Sequence, residues 1–243
     1  MLRILSTGSS SAGNNYILDC EGQQLLIEAG IGLKVVRRAL DYDMTKIIGC
    51  ICTHEHGDHF AYAAEYAGYG IPVYATRGTL SVLSSDKVYG LHTVEYKQLY
   101  EIGGFRVKPF HTEHDAAEPC GFLIDCADGN RVLFATDTYY LRYKFPDVSV
   151  YLIECNYDES ILQTNIKHGI VHPSVGERVR KSHMSINQCV EMLKANDLSK
   201  VKAIFLIHLS GDNSRADSFK KRVEEATGKV VYIATPKTNT IIF

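Results

Sequence analysis

Short apolar or alternating runs of five to eight residues recur along the whole chain. They fall at 2–6 (LRILS), 15–20 (NYILDC), 24–29 (QLLIEA), 46–52 (KIIGCIC), 71–76 (IPVYAT) and 105–112 (FRVKPFHT). Others follow at 120–127 (CGFLIDCA), 131–136 (RVLFAT), 148–155 (VSVYLIEC), 202–208 (KAIFLIH) and 229–235 (KVVYIAT). Their length and β-branched content predict strands. Asp128, Gly129 and Asn130 supply a turn between two of them, so 120–136 reads as a hairpin. Apolar spacing near 3.6 residues predicts helices over 32–43, 58–70, 185–197 and 215–228, the last two stopping near Asn196 and Gly228. Early hairpins followed by helices threaded between later strands predict an α/β protein with two sheets sandwiched between helices. No repeat, low-complexity block or linker divides the chain, so residues 1–243 are expected to form a single domain.

Composition narrows this picture only a little. Hydrophobic residues make up 45% and charged residues 22%, as in ordinary globular proteins, and no 18-residue apolar stretch is present to span a bilayer. The opening MLRILSTGSSSAGNN has too short an apolar run for a secretory signal, so a cytoplasmic protein is expected. Seven cysteines (Cys20, Cys50, Cys52, Cys120, Cys126, Cys155 and Cys189) form no C-x-x-C pair and sit mostly in apolar runs, which predicts reduced, buried thiols. A net charge of −2 gives no global attraction to nucleic acid, although a cleft can draw phosphate locally.

Candidate chemistry begins directly behind the run 46–52. The stretch CTHEHGDHF (52–60) places His54, His56, Asp58 and His59 within six residues, on the loop and first helical turn that follow a strand. A tight turn there can bring all four side chains to one point. Imidazole nitrogens and carboxylate oxygens suit first-row cations such as zinc, manganese or iron. A capped helix start with solvated histidines is the plainer reading of a single histidine. It gives no reason for three imidazoles to share one loop. Further donors stand at other strand ends: His114 after 105–112, Asp137 after 131–136, and His208 closing 202–208. Ligands at the ends of several strands describe a site on one rim of a sheet scaffold.

In this order THEHGDH, His114, Asp137 and His208 resemble the metallo-β-lactamase superfamily of binuclear metallohydrolases, nearly end to end, from STGSSSAGNNYILDC to LIHLSGDNS. The resemblance implies the αββα sandwich of that superfamily and two divalent metal ions. His54, His56 and His114 would hold one, Asp58, His59 and His208 the other, and Asp137 would bridge them. GSSSAGNNYI, HDAAEPCGF, ATDT, IECNYD, SHMSINQ and IHLSGDNS are similar to the small YycJ-like (WalJ-like) branch, relatives of the superfamily's nucleases. That similarity implies a DNA exonuclease, working 5′ to 3′. Two departures stand out. Glu28 in LLIEAG occupies a position where family members usually carry Asp, and Ser182 to Ile186 replaces the usual GHLSN while keeping the histidine.

Two bridged cations would bind a shared water and lower its pKa from about 16 towards neutrality, giving a hydroxide nucleophile. The same charges would offset those of a phosphodiester. Asp58 serves mainly as a ligand in this scheme and can also orient the nucleophile. His183, just before the helix at 185–197, is the candidate proton donor to the leaving group. His183, Ser185 and the backbone there would also hold a phosphate, with Arg180 and Lys181 from the basic cluster Lys167, Arg178, Arg180 and Lys181. The plainer alternatives are that Ser185 only caps the helix and that the cluster is a solvated helix face. His111 reads equally as a supporting or an exposed residue, and His168 and His172 carry no assigned role. Asp115, Glu28 and Glu154 are candidates to orient the liganding imidazoles. Tyrosines such as Tyr139, Tyr140, Tyr143 and Tyr157 offer stacking surfaces for bases or simply build the core. Beside a nuclease acting on DNA, the sequence leaves open a hydrolase of small esters, thioesters, lactones or small phosphodiesters. A non-catalytic metal-binding regulatory module is the third reading, against which the complete donor set speaks.

Overall fold

A computed structural model describes residues 1–83 and 88–242. One sheet contains β1 (Leu2–Ser10), β2 (Gly13–Cys20), β3 (Gln23–Ile27), β4 (Ile47–Ile51), β5 (Val73–Ala75) and β6 (Leu91–Thr93), with β14 (Asn239–Ile242) beside β1. The other contains β7 (Tyr100–Ile102), β8 (Phe105–His111), β9 (Cys120–Asp125), β10 (Arg131–Ala135), β11 (Val150–Glu154), β12 (Ala203–Ile207) and β13 (Val231–Ile233). Both are mixed in the same way. β14-β1-β2-β3 and β7-β8-β9-β10 pair antiparallel, whereas β3-β4-β5-β6 and β10-β11-β12-β13 pair parallel.

Local chemistry accounts for the antiparallel halves. Glu21 and Gly22 both take positive φ, 50° and 80°, which is the two-residue turn whose twist suits a hairpin, here between β2 and β3. Asp128 accepts a hydrogen bond from the Asn130 N–H, closing the expected β9–β10 turn. The parallel halves need covered faces, and helices cover them. Leu33 and Val36 of α1 (Leu33–Ala39) and Ala63 and Tyr66 of α3 (Ala63–Gly68) pack on Ile17, Leu26 and Cys50 of the first sheet. Ile186, Cys189 and Leu193 of α7 (Ile186–Lys194) and Phe219 and Val223 of α8 (Ala216–Thr227) pack on Tyr151, Ile153, Ile204 and Leu206 of the second. Between the sheets lie Tyr16, Phe105, Phe122, Phe134, Leu152 and Phe205. The residue pattern predicts the two sheets between helices, and their mixed strand directions suit the αββα sandwich that the resemblance implies. No helix among the described residues is long and apolar enough to cross a membrane.

The helix expected over 58–70 is instead two short ones, α2 (Gly57–Phe60) and α3. Tertiary hydrogen bonds break it. The Tyr62 N–H donates to the Ala29 carbonyl at 2.9 Å, and the Asp58 carbonyl accepts from Asn14 Nδ2 at 3.1 Å, so neither joins a continuous helical ladder. The periodicity also passes over α5 (Glu159–Lys167) and α6 (Pro173–Ser182). These bury only a small cluster built on Leu162, Val171, Ile166 and Val179, too sparse for a recognisable stripe. Strands β6 and β7 and helix α4 (Arg77–Leu80), three or four residues long, fall below what patterning can show, and β14 passed unread as well.

β3 and β4 share one direction in the first sheet, and β8, β10, β11 and β12 share one in the second; residues that follow β4, β8, β10 and β12 converge on one rim. That is where ligands gather in sheets of this kind. The whole arrangement rests on the inter-sheet core, where Phe134 is fully buried with its ring 5.3 Å from Tyr16 in an edge contact. Phe134→Ala is expected to lower unfolding stability by about 3–5 kcal/mol, read as a shifted urea midpoint at unchanged m-value; an unshifted midpoint would contradict this packing.

Candidate metal centre

Each donor expected from the sequence arrives at that rim. His54 follows β4, and His56 is the N-cap of α2, whose single turn swings Asp58 and His59 round to face them. His114 follows β8, Asp137 follows β10 and His208 follows β12. Two sets form: His54, His56, His114 and Asp137, and Asp58, His59, Asp137 and His208, with the donor atoms of each set within 4.8 Å of one another. Asp137 belongs to both. A third set, Asp137, Glu154, His183 and His208, adjoins them.

The donor atoms fit a cation. His54 Nε2 and His208 Nε2 are buried without a hydrogen-bond partner among the described residues, although buried polar atoms are ordinarily paired. His54 Nε2 lies 3.7 Å from Asp137 Oδ2, and His208 Nε2 lies 3.4 Å from Asp58 Oδ2, so each aims at a carboxylate of its own donor set. Imidazole and carboxylate are the donor types of zinc and its first-row neighbours. The residues can therefore hold divalent metal.

Electrostatics point the same way. Burial pushes the His54 ring well below the ordinary imidazole range, and nearby His59 adds to this. Burial also opposes charge on His59 and His208, yet Asp137, with Glu28 for the first and Asp58 for the second, lifts both well above that range. Asp137 itself is held well below the carboxylate range, since the charges of His208 and His59 outweigh its burial. Carboxylates that draw protons onto buried rings offer the same attraction to a cation.

Residues behind the donors fix their orientation. Glu28, fully buried, accepts from the Thr53 hydroxyl at 2.6 Å and lies 3.3 Å from His59 Nδ1, while Thr53 Oγ1 stands 2.9 Å from His54 Nδ1. One carboxylate thus steadies two imidazoles, and the extra methylene of Glu over Asp accompanies a backbone φ of 69° at this residue. Glu154 Oε1 lies 2.7 Å from His183 Nδ1 and 3.1 Å from His208 Nδ1. His114 Nδ1 lies 3.2 Å from the Ser182 carbonyl and 3.4 Å from Asp115. The β1–β2 hairpin was not assigned to the site from sequence, yet Ser9 accepts from the His208 N–H and Asn14 donates to Asp58. No spacing rule links residues 14 and 58, 44 positions apart.

A family model described as the beta-lactamase superfamily domain matches residues 23–209. The chain belongs to this superfamily. It is 28% identical over 227 residues to an exodeoxyribonuclease WalJ of Streptococcus pneumoniae, covering 87% of this chain and 82% of that one. It is 26% identical over 234 residues to an exodeoxyribonuclease YycJ of Bacillus anthracis, covering 89% and 86%. The metallo-beta-lactamase fold protein YhfI of Bacillus subtilis shares the fold, with a TM-score of 0.77 at 15% identity over 99% of this chain and 100% of that one. As a beta-lactamase superfamily member with this donor set, the protein is a metal-dependent hydrolase.

Five of the donors, His56, Asp58, His114, Asp137 and His208, form the floor of an open cleft of about 410 Å³, walled by Ser11, His183, and Val175, Arg178 and Val179 of α6. Of the four expected substrate contacts His183 lines the cleft. Ser185, Arg180 and Lys181 lie outside its lining. The Ser185 hydroxyl caps α7 in a reciprocal box with Gln188 and is almost fully buried. Arg180 is gripped by Glu159, at 2.8 Å, and by Glu177. Lys181 is exposed and does not line the cleft. Helical geometry explains these positions, because residues 175, 178 and 179 share one face of α6 and residues 180 and 181 point elsewhere. Arg178, left within the basic cluster by sequence alone, is the cation at the cleft. Its Nε donates to Asp115 at 3.1 Å. His111 is half-buried against Tyr96, and His172 caps α6.

Gly30 sets how closely the donor loop approaches β2. A Cβ there would stand 1.8 Å from the Asp58 carbonyl oxygen. Gly30→Ala is expected to cost about 1–3 kcal/mol by overpacking and to lower the metal bound per chain, measured by emission spectroscopy on the folded variant. Full metal content in Gly30→Ala would show that this contact does not position Asp58.

Proposed function

We propose that the protein is a metal-dependent phosphodiesterase that hydrolyses nucleic acid, and specifically a DNA exonuclease that shortens strands from 5′ to 3′. The observation that carries this reading is the pair of donor sets joined by Asp137 on the floor of an open cleft, with Arg178 and His183 on its wall. Similarity to proteins named exodeoxyribonuclease, over more than four-fifths of each chain, supports DNA as the substrate. In this reading His54, His56 and His114 hold one cation and Asp58, His59 and His208 a second, with Asp137 common to both. Bound divalent cations supply Lewis acidity, bringing the pKa of water down towards 7 and offsetting phosphate charge. Donors drawn from both sheets support the reading of residues 1–243 as one domain.

The chain's own groups do the rest. Asp58, partly exposed and braced by Asn14, faces the cleft and can orient the attacking water. His183 keeps Nδ1 against Glu154, which leaves Nε2 to carry a proton to the leaving oxygen. Arg178 offers a guanidinium to a substrate phosphate.

Internally labelled single-stranded DNA, with and without a 5′-phosphate, is expected to be shortened stepwise by manganese- or zinc-loaded protein and left intact by Asp58→Ala. DNA left intact by the fully loaded wild type would redirect the reading to small phosphodiesters or acyl substrates. His183→Ala is expected to lower turnover roughly 10²- to 10⁴-fold while metal content stays at the wild-type level; unchanged turnover would remove the proton-donor role.

A further inference from the structure

We propose that a groove on the outer face of the second sheet binds single-stranded nucleic acid, forming a track along which a substrate strand leads away from the metal centre. This rests on the nuclease reading for its occupant and on independent residues for its chemistry. Alternation along β8 turns Phe105 and Val107 into the core between the sheets and Lys108 and Phe110 outward. Helices α7 and α8 pack on the parallel half of this sheet, so β8 and β9 are flanked by the segment 143–146 instead. Between them lies a groove of about 540 Å³.

Two half-buried tyrosines, Tyr96 and Tyr143, line it. Tyr143 rests on the buried ring of Phe110, centroids 5.9 Å apart, and buried Phe145, 4.8 Å from Phe110, supports that ring from the core. Its rim is cationic. Arg106 and Arg131 both engage Asp125, which neutralises part of their charge. Lys97, Lys108 and Lys144 are exposed and make no ion pair among the described residues. Three unpaired ammonium groups around two half-buried tyrosines, in a chain of net charge −2, are a local concentration of positive charge that overall composition does not supply. Ammonium groups for phosphates and ring faces for unpaired bases are the two elements of a single-strand site. A duplex hides its base faces from such rings.

The chain links the groove to the centre over a short distance. His111 lines the groove, and the chain reaches the donor His114 three residues later. From Lys108 to His114 the backbone spans at most about 20 Å, or roughly six nucleotides at a stacked rise of ~3.4 Å.

The test is binding of a fluorescein-labelled 20-nucleotide oligo(dT) by fluorescence anisotropy in EDTA, where no cleavage occurs. The combined variant Lys97→Glu, Lys108→Glu, Lys144→Glu, checked for wild-type melting temperature, is expected to bind at least ten-fold more weakly. The slope of log affinity against log salt should flatten by about 2, from three phosphate contacts at ~0.7 each. Tyr143→Leu, which preserves an apolar contact with Phe110, should weaken binding about five-fold or more at an unchanged salt slope. Equal binding by wild type and the lysine variant, no binding by wild type at low salt, or equal competition by duplex DNA overturns the proposal. Cleavage separates the two readings. Groove-dependent binding without DNA shortening sinks the nuclease and leaves the track, whereas shortening that the lysine variant performs at the wild-type rate sinks the track and leaves the nuclease.

Discussion

Asp137 is a carboxylate only 4% exposed, and four imidazoles crowd it: His208 Nδ1 at 2.9 Å, His59 Nε2 at 3.5 Å, His114 Nε2 at 3.6 Å and His54 Nε2 at 3.7 Å. A buried charge is tolerated only where partners answer it. Every other feature of the rim follows from meeting that demand. The rings must come from three strand ends and one helical turn, buried carboxylates hold several of them in place, and the holders Glu28 and Glu154 are themselves fully buried and require donors. Thr53 supplies donors to Glu28, and the Thr138 and Met184 N–H groups supply them to Glu154. The result is one connected polar network inside a hydrophobic sandwich, in which loss of any member strands another.

Backbone geometry shows what that network demands of the chain. Glu28, Asp137 and His208 stand at the ends of β3, β10 and β12 with φ of 69°, 48° and 53°. Such left-handed conformations cost of order 1–3 kcal/mol each in a non-glycine residue. The kink at each strand end turns the side chain into the centre instead of continuing the pleat. Strain and placement are therefore the same event for two donors, Asp137 and His208, and for Glu28, which holds two of the imidazoles.

The alternation of apolar residues made the sheets legible, because strands buried on both faces, such as β11 and β12, leave unbroken apolar runs. The donors were legible for a related reason: a histidine or aspartate directly behind such a run can hardly avoid the rim. Elements defined by partners far away were not. The break between α2 and α3 depends on Ala29 and Asn14, the capping role of Ser185 depends on Gln188, and the face of α6 that meets the cleft depends on where a small cluster at Leu162 anchors it. A basic cluster in sequence could show that some cation reaches the cleft, but only the helix phase separates Arg178 from Arg180.

Since His54, His56, Asp58 and His59 hang from one sheet and His114, Asp137 and His208 from the other, the centre spans the seam of the sandwich. Sliding one sheet past the other by a single residue would move its donors ~3.3 Å, whereas a metal tolerates ligand distances to about ±0.2 Å. A bound ion would thus act as a gauge of alignment: it would select, from all the ways two greasy sheets can stack, the one stacking in which seven side chains converge.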